Sequence, residues 1–241
     1  MGAKGPATVN RVSVGTSGWS YPSWRPGFYP AGLDPSEFLG FYASRFSTVE
    51  LNTTGYRLPA EDQFRRWAAQ APDGFVFGPK LPGWMAGSAA GRAGGARPKT
   101  GSPSATRGLR GLDEFAARVR LLGDRLGPVR VSMKNARDDG VLELMLGSLD
   151  PSLRIAFDLE HPSWDGVEER LAEAGAVRVN DLQGAAPFRY LRLREPPYDE
   201  AALADLAGRI RPLAEPVYVY FRHEDEPTAP AYAQRLLELL R

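Results

Sequence analysis

Eight charged side chains stand at the C-terminal ends of short apolar segments typical of β-strands, or directly after them. Successive residues of a strand point to opposite faces, so these charges fall on one common face of their strands. Carboxylates can transfer protons, and neighbouring cations can stabilise negative charge that develops in a reaction. Because five cations outnumber three carboxylates, we expect an anionic ligand such as a phosphate or carboxylate. The eight residues are Glu50, Lys80, Lys134, Asp158, Glu160, Arg192, Arg194 and Arg222.

Three of these residues are the predicted catalytic groups: Glu50, Lys80 and Asp158. Glu50 would act as the general base, and Lys80 together with Arg192 would stabilise negative charge. A carboxylate beside Lys and Arg has a lowered pKa, so Glu50 would act best after the substrate displaces one of its partners. The alternative is an ion-pair network that only holds the fold together, and the residue types support both interpretations equally.

The candidate substrate-binding residues come from loops and strand ends. The loop over residues 17–30 is rich in aromatic residues, which predicts a lid over the strand ends or a platform that stacks a sugar or a base. Asp158 and Asp181 could hold Mg²⁺ or Mn²⁺ as hard oxygen ligands, although no spacing requires either ion, and no other cofactor is predicted. The candidate substrate-binding residues are Trp19, Tyr21, Trp24, Asn52, Lys134, Glu160, His161, Asp181, Arg192, Arg194 and Arg222.

Strands and helices must alternate along the chain to position these residues. Eight apolar runs bounded by Gly, Pro or Asp, with amphipathic segments between them, predict an irregular TIM-like (β/α)8 barrel of parallel strands. Residues 181–187 are too few for a helix between the sixth and seventh strands. An open doubly wound sheet is the alternative, but its usual glycine-rich phosphate turn is missing. The predicted strands cover residues 11–16, 48–53, 75–80, 128–134, 153–159, 176–180, 188–194 and 217–222, and the predicted helices 35–45, 60–71, 112–126, 199–210 and 230–240.

Composition narrows the classes of protein. A chain of 241 residues suits a single barrel domain over residues 1–241. The absence of cysteine excludes disulfides, thiolate nucleophiles and iron–sulfur clusters, and two histidines cannot form a histidine-rich metal cluster. The net charge of +1 argues against a protein that coats nucleic acid. Residues 1–10, predicted to be flexible, have no apolar core, and no run is long enough to span a membrane, so we expect a cytoplasmic protein.

A segment after the third predicted strand differs in composition from the rest of the chain. Residues 83–108 are rich in Gly, Ala, Ser and Arg, which predicts a flexible or disordered insert. From residue 92 to 134 the chain has ten basic and three acidic residues. This excess could contact phosphate groups of a nucleic acid, but an ordinary solvated surface is the favoured interpretation.

Several short motifs are distinctive, first residues 14–21 (VGTSGWSY) and 49–54 (VELNTT), then 75–77 (FVF), 161–164 (HPSW) and 217–221 (VYVYF). Together they resemble the YecE-like family, which is catalogued as domain of unknown function 72, and the resemblance covers nearly the whole chain. It implies an irregular TIM-type barrel that is distantly similar to sugar-isomerase and abasic-site endonuclease barrels. It implies no reaction, because the family has no established one.

The polar motifs at the predicted mouth of the barrel depart from the family pattern. The family favours Arg where Glu160 stands, and Arg-x-His-Gly where residues 192–195 read RLRE. Its motifs after the fourth and eighth strands are replaced by residues 132–135 (SMKN) and 222–225 (RHED). Either the substrate differs from that of the relatives, or the site has decayed in this chain.

Three functions therefore stay open from the sequence. The first is an enzyme that acts on a small anionic or sugar-phosphate substrate at the mouth of the barrel. The second is a nucleic-acid-binding or repair-like nuclease without a zinc cluster. The third is a non-catalytic ligand-binding protein.

Overall fold

The computed structural model describes residues 11–85 and 103–241, and within them eight strands alternate with helices. Predicted strands are present at all eight positions, although all are shorter than predicted and the sixth has two residues. The seven helices include two that the sequence analysis does not predict, α4 and α5. The strands are β1 Val12–Thr16, β2 Thr48–Leu51, β3 Val76–Pro79, β4 Val129–Met133, β5 Ile155–Leu159, β6 Val177–Arg178, β7 Arg189–Leu193 and β8 Val217–Phe221. The helices are α1 Phe38–Ala43, α2 Glu61–Gln70, α3 Pro103–Val119, α4 Asp139–Ser148, α5 Glu168–Glu173, α6 Glu200–Ile210 and α7 Thr228–Leu239.

All the paired strands run parallel, which confirms the α/β class with parallel strands. They form three small sheets in the orders β1-β8-β7, β2-β3 and β4-β5-β6. A closed eight-stranded barrel is not confirmed, because the strands are too short for continuous hydrogen bonding between neighbouring sheets. Single parallel bridges, Ser17 with Glu50 and Lys80 with Arg130, lie between the sheets. No helix joins β6 to β7 over residues 181–187, as predicted.

Side chains from all three sheets meet in an inner apolar cluster. This placement follows the alternation of each strand, because the neighbouring residues face the helices instead and form the larger core. In β3, for example, Val76 belongs to the inner cluster and Phe77 to the outer core. The inner cluster consists of Val76, Ala156, Val177, Val179, Phe188, Tyr190, Tyr218 and Tyr220.

Of the predicted flexible insert over residues 83–108, the structure describes only the two ends, residues 83–85 and 103–108. Residues 1–10 and 86–102 lie outside the described residues, so the predictions for them stay predictions. Helix α3 begins at Pro103, nine residues before the predicted start at residue 112. Met85 is buried, and a Cβ at Gly111 would lie 2.7 Å from its Cε, so the first residues of the predicted insert pack against α3.

None of the helices in the described part of the chain is long and apolar enough to cross a membrane.

Candidate functional site

Glu50 lies at the centre of a network of buried charges. It stands near the end of β2 on the face opposite to Val49, and its side chain is fully buried. Its Oε1 accepts a hydrogen bond from Nε of Arg192 at 3.1 Å, and its Oε2 accepts one from the Tyr190 hydroxyl at 2.6 Å. Nε of Arg130 lies 3.4 Å from the same Oε2. The predicted inward orientation of Glu50 agrees with these contacts, since its partners belong to β4 and β7.

The environment of Glu50 favours its ionised form. Burial on its own would raise the pKa, but the charges of Arg130 and Arg192 and the hydrogen bond from Tyr190 outweigh it and lower the pKa to about 2. Burial raises the pKa of the Tyr190 hydroxyl well above its usual range, and the negative charge of Glu50 adds to this rise. At neutral pH the pair is therefore a carboxylate and a neutral phenol, which is the arrangement that its hydrogen bond requires.

Arg130 links Glu50 to a second buried carboxylate, that of Asp158. The Nη1 atom of Arg130 lies 3.5 Å from Oδ2 of Asp158, and Arg194 makes an ion pair with the same oxygen. Among the described residues, Arg130 makes no side-chain hydrogen bond, although its side chain is only 5% exposed, and its Nε is buried without a partner. A buried N–H without an acceptor is rare and costs about 1–3 kcal/mol.

Arg192 is held from several sides. Its Nη2 donates to Oγ of Ser17 at 2.9 Å in addition to the bond with Glu50. Its backbone N–H donates to Oδ1 of Asn180 at 2.6 Å, and Nδ2 of Asn180 donates back to its carbonyl oxygen at 3.1 Å. Asn180 adopts a φ of 66°, which asparagine tolerates better than most residues. Arg192 thus has a fixed position with little capacity left for a ligand.

His223 completes this side of the network. Its Nδ1 lies 3.3 Å from Oγ of Ser17, and its ring stacks on that of Tyr21 with centroids 4.5 Å apart. Burial and the neighbouring charges of Arg192 and Arg222 lower the pKa of His223. The imidazole is therefore neutral at physiological pH and joins the network as a hydrogen-bonding group.

Lys80 follows β3 and is positioned by the 3₁₀-helical turn Asn52–Gly55. The buried Thr54 hydroxyl accepts a hydrogen bond from the Lys80 backbone N–H at 2.9 Å, and the Lys80 side chain packs across Gly55. The ammonium lies 5.7 Å from the ring centroid of Tyr56, and no carboxylate of residues 11–85 or 111–241 pairs with it. Burial and the neighbouring charge of Arg130 lower the pKa of Lys80 to about 8.

At the outer edge of the network lies a solvent-exposed pair. Nζ of Lys134 lies 3.4 Å from Oε2 of Glu160, and the two side chains are 66% and 33% exposed. Oγ of Ser132 also approaches Glu160, at 3.5 Å. The structure therefore brings together Glu50, Lys80, Asp158, Arg192 and Arg194 with this outer pair.

The aromatic residues Trp19 and Trp24 of the loop pack against the rest of the protein, and the lid over the strand ends stays a prediction. Trp24 is fully buried, and its Nε1 donates to the carbonyl oxygen of Glu224 at 3.0 Å. Trp19 packs edge-on against Trp67 and Phe77, on the helix-facing side of β3. Trp24 belongs to the buried core and has no exposed face for a ligand, whereas Trp19 is partly buried and packs against that core. Tyr21 alone lies beside the network, through its stacking on His223.

Four further candidate residues lie apart from the network. His161 is exposed, and its side chain caps the 3₁₀-helical turn Pro162–Trp164 by accepting a hydrogen bond from Ser163 N–H at 3.1 Å. Arg222 is exposed, because the chain leaves the strand face at the end of β8. Asp181 accepts from the N–H of Gln183 at 2.8 Å and so shapes a turn. Asn52 begins the turn that carries Thr54 and makes no side-chain hydrogen bond to the described residues.

A shallow cavity of about 420 Å³ lies beside the network, next to the ends of β5 and β6. Asp158, Glu160, Asp181 and Arg194 contribute to its wall. Within the described residues, however, no three His, Asp or Glu side chains lie close enough together to hold a metal ion. Asp158 is committed to two arginines and Asp181 to its turn, so these residues do not fit the Mg²⁺ or Mn²⁺ site that the sequence left open.

The sequence analysis missed Arg130 as a member of the site. Strand alternation could have identified it, because Arg130 lies two residues before the inward-facing Ser132 on β4 and so shares its face. Ser17 and Asn180 were also missed, since a loop serine and a left-handed asparagine have no periodic pattern. His223 belongs to a motif that departs from the family, but its contact with Ser17 depends on the tertiary fold.

The fold and the network define an α/β protein with parallel strands whose charged residues gather at the carboxyl ends of the strands, where such proteins commonly bind ligands. The chain belongs to the family described as protein of unknown function DUF72, whose family model matches residues 13–241. The resemblance inferred from the sequence motifs is therefore confirmed.

Related proteins and structures agree with this membership. The chain is 28% identical over 173 residues to the UPF0759 protein YecE of Escherichia coli strain K12, a match that covers 68% of this chain and 54% of YecE. The chain thus matches about half the length of this curated relative. A crystal structure of a DUF72 family protein from Thermotoga maritima is 26% identical, has a TM-score of 0.70, and covers 95% of this chain and 98% of that chain. One from Enterococcus faecalis, at 17% identity and a TM-score of 0.71, covers 95% of each chain and shows the fold alone.

Proposed function

We propose that this protein binds a small anionic ligand, such as a phosphate, a carboxylate or a sugar phosphate, between Lys80, directly after β3, and Arg130, near the start of β4. The observation that supports this proposal most strongly is the pair formed by Lys80 and Arg130. The two residues are bridged neighbours, yet neither side chain makes a hydrogen bond to the described residues. An anion between them would supply the missing acceptors.

The charge balance of the network points in the same direction. Counted together, the cations Lys80, Arg130, Lys134, Arg192 and Arg194 exceed the carboxylates Glu50, Asp158 and Glu160 by two. Because unpaired charge in a partly buried site is unfavourable, the surplus favours an anion over a neutral ligand. The ligand site is thus shifted from the predicted Lys80 and Arg192 to Lys80 and Arg130, since Arg192 is already bound by Glu50 and Ser17.

The contacts support binding more strongly than proton transfer by Glu50. A carboxylate with a pKa of about 2 is a weak base, and both of its oxygens already accept hydrogen bonds. Proton transfer by Glu50 stays a prediction that requires a ligand to displace Tyr190 or one arginine. Whether the protein is an enzyme therefore depends on chemistry at another group of the same site.

The proposal includes the irregular barrel. The three sheets would be arcs of one barrel, in which the bridges Ser17–Glu50 and Lys80–Arg130 join β1 to β2 and β3 to β4. At the remaining junction, between β6 and β7, the Asn180 N–H donates a hydrogen bond to the Tyr190 carbonyl oxygen at 2.9 Å. The inner apolar cluster, which takes side chains from all three sheets, also supports this arrangement.

The nucleic-acid alternative has no comparable support in the contacts described above. It depends on the basic segment from residue 92 to 134, part of which lies outside the described residues. It stays a prediction.

Calorimetric titration with inorganic phosphate and with glucose 6-phosphate tests the proposal. We expect binding by the unmodified protein, and a loss of affinity of about tenfold or more for Lys80→Met, since a hydrogen bond to a charged group contributes about 1.5–3 kcal/mol. The matched control is Arg65→Met, which removes one positive charge from an exposed position on α2. Absence of binding by the unmodified protein, or an equal loss in both variants, would contradict the proposal.

A further inference from the structure

We propose that Lys80 is a nucleophile that captures the carbonyl carbon of an anionic aldehyde or ketone as an imine. The inference rests on the proposed anion site and adds the substrate class: a small molecule with both a carbonyl group and a phosphate or carboxylate. A primary amine in such a site must be held in place, shielded from counter-ions and partly neutral. The structure meets each of these conditions at Lys80.

The position of Lys80 is fixed at both its backbone and its side chain. The Thr54 hydroxyl accepts from the Lys80 N–H at 2.9 Å and lies 2.7 Å from its carbonyl oxygen. A Cβ at Gly55 would lie 2.5 Å from Cδ of Lys80, so the aliphatic part of the side chain fills the space that Gly55 leaves open. Tyr56 provides an aromatic face 5.7 Å from the ammonium.

The charges that face Lys80 come from several elements. Arg130 and Lys134, from β4 and directly after it, repel its positive charge, whereas Glu50 of β2 and Asp158 of β5 attract it. Both carboxylates are already paired with arginines, so neither serves as the direct counter-ion of Lys80. Desolvation and Arg130 prevail, and the lowered pKa of about 8 gives a substantial fraction of neutral amine just above neutral pH.

The proposed step balances without an oxidant or a reductant. The Lys80 ammonium first gives one proton to water. The lone pair of the neutral amine then forms a bond to the carbonyl carbon, the C=O electron pair moves to the oxygen, and one proton passes from the nitrogen to that oxygen through water. The resulting neutral carbinolamine takes one proton back on its hydroxyl group, which leaves as water while the nitrogen lone pair forms the double bond to carbon. The net change converts one ammonium and one carbonyl into one protonated imine and one water. The anionic group of the ligand would be bound by Arg130.

Reductive trapping with pyridoxal 5′-phosphate, an aldehyde that bears a phosphate, tests the inference. The full-length protein is treated with this compound at pH 8, reduced with borohydride, digested and examined by peptide mass spectrometry. The chain has only four lysines, Lys4, Lys80, Lys99 and Lys134, so each site of labelling can be resolved. We expect about tenfold more label at Lys80 than at Lys134, because the lowered pKa of Lys80 leaves more of its amine neutral, whereas Lys134 is ion-paired with Glu160. Inorganic phosphate should protect Lys80.

The two proposals are separated by two measurements on the unmodified protein, phosphate binding in calorimetry and the adduct at Lys80. The variant Lys80→Arg removes the primary amine and should lose the adduct at position 80. Phosphate binding by the unmodified protein without a reduction-stable adduct at Lys80 would overturn the nucleophile and leave the anion site intact. Equal labelling of all four lysines would also overturn it. If inorganic phosphate does not lower the amount of adduct at Lys80, the anionic substrate class is overturned.

Discussion

The Nε atom of Arg130 lies 3.4 Å from Oε2 of Glu50, but the two atoms do not form a hydrogen bond, although both side chains are buried. Glu50 instead accepts hydrogen bonds from Tyr190 and Arg192. Arg130 is thus electrostatically paired and short of acceptors at the same time. A bound anion would relieve this shortage, because it offers strong acceptors to the guanidinium.

Replacing Glu50 by glutamine should destabilise the fold. The nearly isosteric amide leaves Arg130 and Arg192 buried without their shared counter-charge, which costs about 3–5 kcal/mol. Urea unfolding of Glu50→Gln measures this loss. The control Glu61→Gln removes a carboxylate that is 58% exposed on α2, and it should change the free energy of unfolding by less than about 1 kcal/mol. A Glu50→Gln protein as stable as the control would show that the network does not stabilise the fold.

The stability of the protein should fall in acid partly through Glu50. The pKa of this carboxyl is lowered from 4.5 to about 2 on folding, so between these values the unfolded chain takes up a proton that the folded chain does not. Its stabilising contribution is therefore complete above about pH 4.5 and is lost as the pH falls towards 2. Across this window, the free energy of unfolding should fall more steeply with decreasing pH in the unmodified protein than in Glu50→Gln. Parallel pH profiles would contradict the assignment.

Alanine at position 55 should weaken the binding of phosphate through Lys80. The added Cβ would stand 2.5 Å from Cδ of Lys80 and force this side chain into another rotamer. We expect a loss of affinity of several-fold in calorimetry and a loss of stability of about 1 kcal/mol. Gly32→Ala is the matched control, because a Cβ there meets nothing within 4 Å. Equal phosphate affinity of the two variants would show that the position of Lys80 is not important for binding.

Trp24 should be important for stability and not for ligand binding. Its ring is fully buried, and truncation of a large buried aromatic side chain costs about 3–5 kcal/mol. We expect Trp24→Ala to lower the midpoint of urea unfolding strongly, while phosphate affinity of the folded protein stays within about twofold of the unmodified value. A selective loss of affinity without a loss of stability would restore the ligand-stacking role that the sequence suggested.

Strand alternation predicted the inward orientation of Glu50, Lys80, Asp158 and Arg192, because the apolar residues next to them in each strand face the helices. It could equally have included Arg130, whose position on β4 shares a face with Ser132. Of the two unpredicted helices, α5 has only six residues, too few to give a clear helical period. In α4 five of the six residues 141–146 are apolar, so they do not mark one face of a helix.

Other features depend on tertiary contacts that no local pattern encodes. The aromatic loop suggested a stacking platform for a ligand, but the Trp24 ring packs against Phe28 and Tyr29, and Trp19 packs against α2 and β3. The exposure of Arg222 and the local cap made by His161 follow from where the chain turns away from the strands. Arg130, and not Arg192, is the arginine short of hydrogen-bond acceptors, because Ser17 and Glu50 accept hydrogen bonds from Arg192 while Tyr190 donates to the Glu50 oxygen that faces Arg130.

The location of a bound anion tests the central claim most directly. Anomalous diffraction from a crystal of the protein soaked in arsenate, an analogue of phosphate, would place the arsenic atom independently of any variant. We expect one peak within hydrogen-bonding reach of both Nζ of Lys80 and the guanidinium of Arg130, and its loss in crystals of Lys80→Met. Arsenic peaks only at other sites, with the space between Lys80 and Arg130 occupied by water at saturating arsenate, would contradict the account.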